Sequence, residues 1–299
     1  FKEMGNVYEI MYMPKKNTKC AITKLDSNFY MINETGEVKE FQHTNNRADN
    51  LKSVAKSLGS GRDIINANVI DVSCCRWVTL TYGDNMTDPK KLYTDYDNFN
   101  RRLQSALGMH YEYITCAEPQ GRGAWHLHCL FLFDGKAPYI PHDLLWRCWS
   151  PKGYKQKLKD GTGYDFVQVK KLDDIDNVGV YLTAYLGDVE LEQFQNELID
   201  ISDFGKTFDV KEVEIEEDGI KKSKRFVKGA RLRLYPPQFH IFRWSNGVSK
   251  PVVTVMSEKS AKEKVSSAKL TYEKSILLSD PVADFESVIN YRYYNKARF

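Results

Sequence analysis

The chain has 299 residues, of which 42% are hydrophobic and 28% charged, with a formal net charge of +3 at pH 7. This is ordinary for a folded soluble protein with room for one or two domains. It argues against a disordered chain and against a uniformly cationic nucleic-acid binder, so any phosphate-binding surface must be local. Aromatic residues make up 13%, including 18 Tyr, which suits base stacking as well as core packing. The six cysteines form no Cys-x-x-Cys pair, which speaks against a structural zinc site and for free thiols in a reducing cytoplasm. Apolar runs fall short of a membrane span and no signal peptide is visible. The chain opens at Phe1, so a few residues are expected to precede it.

In chain order, Val7 to Tyr12 and Phe29 to Ile32 are rich in strand formers, and Asn33-Glu34-Thr35-Gly36 reads as a hairpin turn. Ala48 to Leu58 has helical spacing, with Gly59 as its expected stop. Arg76 to Tyr82 alternates as a half-buried strand. Residues 90 to 106 form an amphipathic helix with Leu92, Tyr96, Phe99, Leu103 and Leu107 on one face. Tyr111 to Ala117 and Trp125 to Phe133 read as hairpin partners across a short glycine-bearing connection. A second helix is expected over Pro141 to Trp149, a strand over Tyr164 to Val169, and a third helix over Asp174 to Leu186, capped by Asp173 or Asp174. Glu190 to Glu197 is acidic and reads as helical. A change of charge sign around Asp218-Gly219 suggests a charged hairpin. This order predicts an α+β fold, a central antiparallel sheet flanked by helices in the split βαβ, RRM-like manner. The expected organisation is an accessory region at 1–70, a core at 71–190, and a β-rich extension at 191–299 that is either separate or part of the same domain.

The chemistry concentrates in Glu118 through Phe133. On a strand, alternate side chains share a face, so His126 and His128 project together while Leu127 and Cys129 enter the core. If the hairpin pairs Glu118 with His126, two imidazoles and a carboxylate meet, a set suited to Mg²⁺, Mn²⁺ or a borderline transition ion. Alone, the His-x-His pattern equally describes two surface histidines on an edge strand. Tyr181 and Tyr185 stand one helical turn apart on the third helix, where a tyrosine pair is equally at home in a core. No Gly-x-x-x-x-Gly-Lys-Ser/Thr occurs, so a fused P-loop ATPase is not supported.

Thr79-Leu80-Thr81-Tyr82, then His126-Leu127-His128, then Tyr181-x-x-x-Tyr185 resemble the three ordered motifs of HUH endonucleases. More narrowly, they are similar to rolling-circle replication initiators (Rep proteins) of plasmids, phages and mobile elements of Gram-positive bacteria. Lys228 to Pro237 also looks familiar from such chains. The resemblance implies that His126, His128 and Glu118 ligate a divalent ion, Mg²⁺ or Mn²⁺, and that Tyr181 is the leading nucleophile. Tyr185 is then either the second attacking tyrosine or a packing residue. It also implies single-stranded or hairpin origin DNA as substrate, with a host helicase and DNA polymerase as partners. Many relatives carry a lysine three residues after the first tyrosine. Here that position is Ala184, leaving Arg122, Lys170 and Lys171 as candidates for its role. Lys152, Lys155 and Lys157, with Lys228, Arg231 and Arg233, are further candidate DNA contacts.

Relaxases and single-strand transposases share the chemistry. The histidines precede the tyrosines here, against the usual relaxase order, and the chain is long for a transposase. A non-catalytic RRM-like binding module is the alternative from another class, and it requires exposed sheet aromatics.

Overall fold

The computed structural model describes residues 1–15, 21–42, 51–120, 123–150, 152, 166–172, 177–183, 188–193, 210–217, 220–227, 230–236, 239–280 and 285–298. The chain divides into two compact units, one made of Phe1–Asn45 with Pro251–Phe299 and the other of Asn46–Lys250. These limits differ from the boundaries expected at 70 and 190. The helix before residue 70 and a strand beyond residue 240 both join the core of the second unit.

The first unit begins with β1 (Lys2–Met4) and β2 (Val7–Tyr12), an antiparallel pair. Then β3 (Ile22–Lys24), β4 (Phe29–Ile32) and β5 (Val38–Glu40) form a small antiparallel sheet. Its second turn is the expected Asn33–Gly36 segment. Gly36 sits at φ 71, a left-handed conformation that favours glycine, and its N–H donates to the Ile32 carbonyl at 2.8 Å.

The second unit opens with α1 (Leu51–Asn68), which runs straight through Gly59. A glycine inside a helix costs only about 1 kcal/mol, and burial of Ile64, Ile65 and Val54 outweighs it. Next come β6 (Cys75–Thr81) and α2 (Pro89–Leu107), the latter capped by the Asp88 carboxylate and closed by Gly108 at φ 64. The helix buries Leu92, Tyr96, Phe99 and Leu103, the expected stripe. The long hairpin is β7 (Glu112–Pro119) and β8 (Trp125–Leu132). It is followed by α3 (His142–Trp149) and β9 (Phe166–Lys170), while Tyr164 and Asp165 lie outside the described residues.

The third helix, α4 (Val178–Thr183), starts later than expected. Asn177 is already outside it, and Asp173, Asp174 and Leu186 are not among the described residues. The partner for its first turn comes from α1: Asn66 Oδ1 accepts from the Gly179 N–H at 2.8 Å, and Asn66 Nδ2 donates to Asn177 Oδ1 at 2.8 Å. Glu190, expected to be helical, instead belongs to β10 (Val189–Glu190), and a helical turn follows at Leu191–Gln193. The charged hairpin is present as β11 (Val210–Glu217) and β12 (Ile220–Val227), with Glu212 across from Arg225 and Glu216 across from Lys221. A 3-10 turn at Ala230–Leu234 leads on to β13 (Phe242–Trp244).

The central sheet has the order β13-β7-β8-β6-β9, with every pair antiparallel. Register divides its faces. Val78, Leu80, Leu127, Cys129 and Phe131 are buried toward α2, where Phe99 stacks on Phe131. The opposite face carries the histidines, and α1 covers part of it: Gly61 lies so close to the Phe242 ring that a Cβ would not fit. The fold is therefore the α+β arrangement expected, a central antiparallel sheet flanked by helices.

The chain then returns to the first unit with β14 (Val252–Val253), α5 (Glu258–Lys264), β15 (Lys269–Asp280) and β16 (Phe285–Asn295). The sheet order there is β14-β1-β2-β16-β15, with Ala261 and Val265 of α5 buried beside Ile10. Among the described residues no helix is long and apolar enough to cross a membrane.

The α1–α4 contact makes a prediction about two glycines. A Cβ on Gly179 would strike the Arg62 carbonyl oxygen and the Asn66 side chain, whereas one on Gly59 would meet nothing. Gly179→Ala is expected to cost about 1–3 kcal/mol by overpacking. Gly59→Ala is expected to stabilise by up to about 1 kcal/mol. Urea denaturation midpoints check both, and an unchanged midpoint for Gly179→Ala contradicts the docking of α4 on α1.

Candidate active site

The site is assembled by strand register. Glu118 of β7 stands directly across from His126 of β8, and Thr79 and Thr81 of β6 stand across from His128 and His126 on the other side. Paired residues in a sheet share a face, so these side chains converge at one end of it. The connection that sets the register is tight. Gln120 N–H donates to the Ala124 carbonyl at 2.7 Å, Gly123 N–H donates to the Gln120 carbonyl at 2.8 Å, and Gly123 sits at φ 85. Trp125 anchors the start of β8 by donating Nε1–H to the Thr87 carbonyl at 2.9 Å.

His128 is held on three sides. Its Nε2 lies 2.5 Å from Glu118 Oε2, its Nδ1 lies 3.2 Å from Thr79 Oγ1, and its ring stacks on Trp77 at a centroid distance of 5.4 Å. The His126 ring lies 6.3 Å from that of His128, and its Nε2 meets the Gln120 side-chain amide. The other oxygen of Glu118 forms an ion pair with Arg231. Arg231 also donates to the Pro119 carbonyl at 3.2 Å, and from Nε and Nη2 to the Asp188 carbonyl at 3.2 and 3.1 Å. One guanidinium thus ties the end of β7 to the segment after α4. The side chains of Glu118 and Arg231 are only 14% and 15% exposed, which makes this a largely desolvated pair.

Burial alone would raise the Glu118 carboxyl. The hydrogen bond from His128 and the charge of Arg231 outweigh it and hold Glu118 below the ordinary carboxylate range. Nearby thiols behave oppositely, because burial pushes Cys116 and Cys129 well up and leaves them inert hydrophobes.

Glu118, His126 and His128 are the described groups that could hold a metal. Two imidazoles and a carboxylate fit a divalent ion in donor chemistry. The Thr79 hydroxyl beside His128 Nδ1 supplies the outer partner that a ligating imidazole uses to fix its tautomer. In this conformation the donors face one another: among the described residues no group of three or more His, Cys, Asp and Glu surrounds a common ion position. An ion there competes with the contacts Glu118 makes to His128 and Arg231.

Tyr181 lies within α4, but its side chain is outside the described atoms, as are the whole of Tyr185 and of Ala184. Arg122, Lys155, Lys157 and Lys228 also lie outside the described residues, and Arg233 is described by its backbone alone. Lys152, Lys170 and Lys171 are exposed, with Lys170 at the end of β9 across from Trp77. Arg231, expected as a DNA contact, is instead committed to Glu118 and two backbone carbonyls. Sequence reasoning did not reach Thr79, Gln120 or Trp77 as site residues. The signal for Thr79 and Trp77 was present in the β6 alternation, which sends them to the face opposite Val78 and Leu80. For Gln120 no pattern marks it apart from its place next to Pro119.

Because Glu118 is held below its ordinary pKa, its stabilising effect is full at neutral pH and is lost as pH falls through the lowered value. Glu118→Gln should cost about 2 kcal/mol at pH 7, the scale of hydrogen bonds to charged groups. The gap between wild type and variant should narrow below the ordinary carboxylate range. Urea titrations at several pH values read this out, and a pH-independent gap contradicts the described environment.

Residues 75–190 match a family model described as a replication-associated protein of the ORF2 type. No curated protein and no solved structure matches the chain. The match runs from the first residue of β6 to the last of β10, so it takes in Glu118, both histidines and the tyrosine helix. It supports a role in the initiation of DNA replication and is consistent with a rolling-circle Rep protein. Through residues 75–190, this chain belongs to the ORF2-type family of replication-associated proteins.

Proposed function

We propose that the protein nicks and rejoins single-stranded DNA at a replication origin through a 5′-phosphotyrosine intermediate. The observation that carries this reading is the register pairing of Glu118 with His126, which puts a carboxylate and two imidazoles on one face of a family-matched sheet. His126, His128 and Glu118 would hold Mg²⁺ or Mn²⁺. When bound, such an ion supplies Lewis acidity toward a phosphoryl oxygen.

The residues of the chain do the rest. The Tyr181 phenol, a poor nucleophile in water, attacks the scissile phosphorus in line and gives up its proton. The bond from phosphorus to the 3′-oxygen breaks, and that oxygen takes a proton to leave as a 3′-OH for a polymerase to extend. The 5′-phosphate stays on Tyr181, so the phosphodiester energy is kept and no nucleotide triphosphate is consumed. Tyr185, if it attacks, ends a round by the same exchange. The strand-borne groups sit on a rigid sheet, and α4 is fixed to α1 through Asn66, an arrangement suited to a reaction that depends on positioning. Arg231 positions Glu118 and links it to the chain beyond α4. Host helicase and polymerase are the partners this chemistry requires.

Incubation with labelled single-stranded origin DNA and Mn²⁺ tests the reading. A covalent adduct is expected, abolished by Tyr181→Phe and reduced by about a hundredfold or more by His128→Ala, the scale of a lost electrostatic contribution at a reacting centre. The mass of the DNA–peptide adduct identifies the attacking tyrosine. An adduct lost in Tyr185→Phe but kept in Tyr181→Phe reverses their roles, and no adduct with any origin strand leaves a non-catalytic binding module.

A further inference from the structure

On the face of the central sheet opposite the histidines, α2 and α3 leave a shallow concavity of about 520 Å³ between them. Its lining is dominated by three arginines: Arg101 and Arg102 from α2, and Arg147 from the last turn of α3. All three are exposed, and none has an acidic partner among the described residues. Asp97 and Asp143, each one helical turn before an arginine, form no ion pair with Arg101 or Arg147. Elsewhere the chain pairs its arginines, as in Arg62 with Asp63, Arg231 with Glu118 and Arg292 with Glu273.

The three are also partly arranged. Arg102 donates from Nε to the Cys148 carbonyl at 2.7 Å, which fixes the guanidinium while its terminal nitrogens stay available. Arg101 is steadied by Asn98 Oδ1 at 2.5 Å. Burial raises the Cys148 thiol, and Arg147 and Arg102 both draw it back, so these two cations flank the same sulfur. Three convergent guanidiniums without counter-charge repel one another, and an anion relieves that repulsion.

We propose that this groove binds the phosphate backbone of duplex DNA, as a second DNA site separate from the histidine face. The remaining lining consists of Asn98, Ser105, Ala106 and Cys148, with no aromatic ring on which an unpaired base could stack. Recognition there is of phosphates alone, the mode by which duplex is held without sequence choice. Choosing DNA as the polyanion rests on the reading of the protein as an origin nickase; the anion site itself does not.

The test is equilibrium binding of a random-sequence duplex and a single strand of equal length, followed by anisotropy across a salt series. Tyr181→Phe protein is used without divalent metal, so the result does not depend on nicking. The double variant Arg101→Ala/Arg147→Ala spares Arg102, which holds the Cys148 carbonyl, and an unchanged thermal melt shows that it folds. The slope of log K against log salt for duplex should fall by about two, at roughly 0.9 per phosphate contact, with single-strand binding unchanged. Arg101→Lys/Arg147→Lys should retain the duplex slope, because charge carries the contact. An unchanged duplex slope, or an equal loss on the single strand, overturns the proposal. So does displacement of duplex by an acidic peptide at equal charge, which would assign the groove to a protein partner. Failure of the covalent-adduct assay leaves this result standing, and the reverse also holds.

Discussion

The Glu118 carboxylate is the interaction on which the site depends. It is largely withdrawn from water, and a buried carboxylate survives as an anion only when its desolvation is offset by directed partners. Here there are two, the His128 imidazole on one oxygen and the Arg231 guanidinium on the other. Each partner comes from a different part of the second unit: His128 from the neighbouring strand and Arg231 from the turn beyond the charged hairpin. Arg231 then directs its remaining donors to the carbonyls of Pro119 and Asp188. One charge therefore joins the hairpin end, the chain after the tyrosine helix, and the segment before β13.

The same arrangement explains why the site lies at one end of the sheet. The central strands are pinned by apolar burial on the α2 face, where Leu80, Leu127 and Phe131 are completely enclosed. That packing fixes strand register, because a slip of one residue would turn the histidines into the core. With register set from behind, the front face is free to carry polar groups. Thr79, His128 and Glu118 line up across three strands without any of them having to specify the fold.

Much of this was legible in the sequence, and the reasons are physical. The alternation in Arg76 to Tyr82 and in Trp125 to Phe133 reports a sheet buried on one face, and the Leu92–Leu103 stripe reports a helix lying on it. The pairing of Glu118 with His126 followed from hairpin geometry, since a short loop leaves few registers. What was hidden came from distant contacts. Gly59 looked like a helix stop because nothing local shows that Ile64 and Ile65 are buried by residues far along the chain. The start of α4 moved because its amide finds Asn66, more than a hundred positions away. Arg231 reads as one more cation in a basic run, and only the folded chain shows it against Glu118.

The charged hairpin illustrates the same limit from the other side. Its basic strand reads as a phosphate surface, yet register sets Glu212 across from Arg225 and Glu216 across from Lys221, so much of its charge stands beside its own opposite. Cross-strand neighbours of opposite sign screen one another before any ligand arrives. Arg101, Arg102 and Arg147 are fewer and scattered in sequence, and no run of basic residues announces them. They converge because α2 and α3 pack side by side on the same sheet face. Positive charge in this protein is thus most available to a phosphate backbone where it is least concentrated in the sequence, since contiguous charge was neutralised by the strand that precedes it.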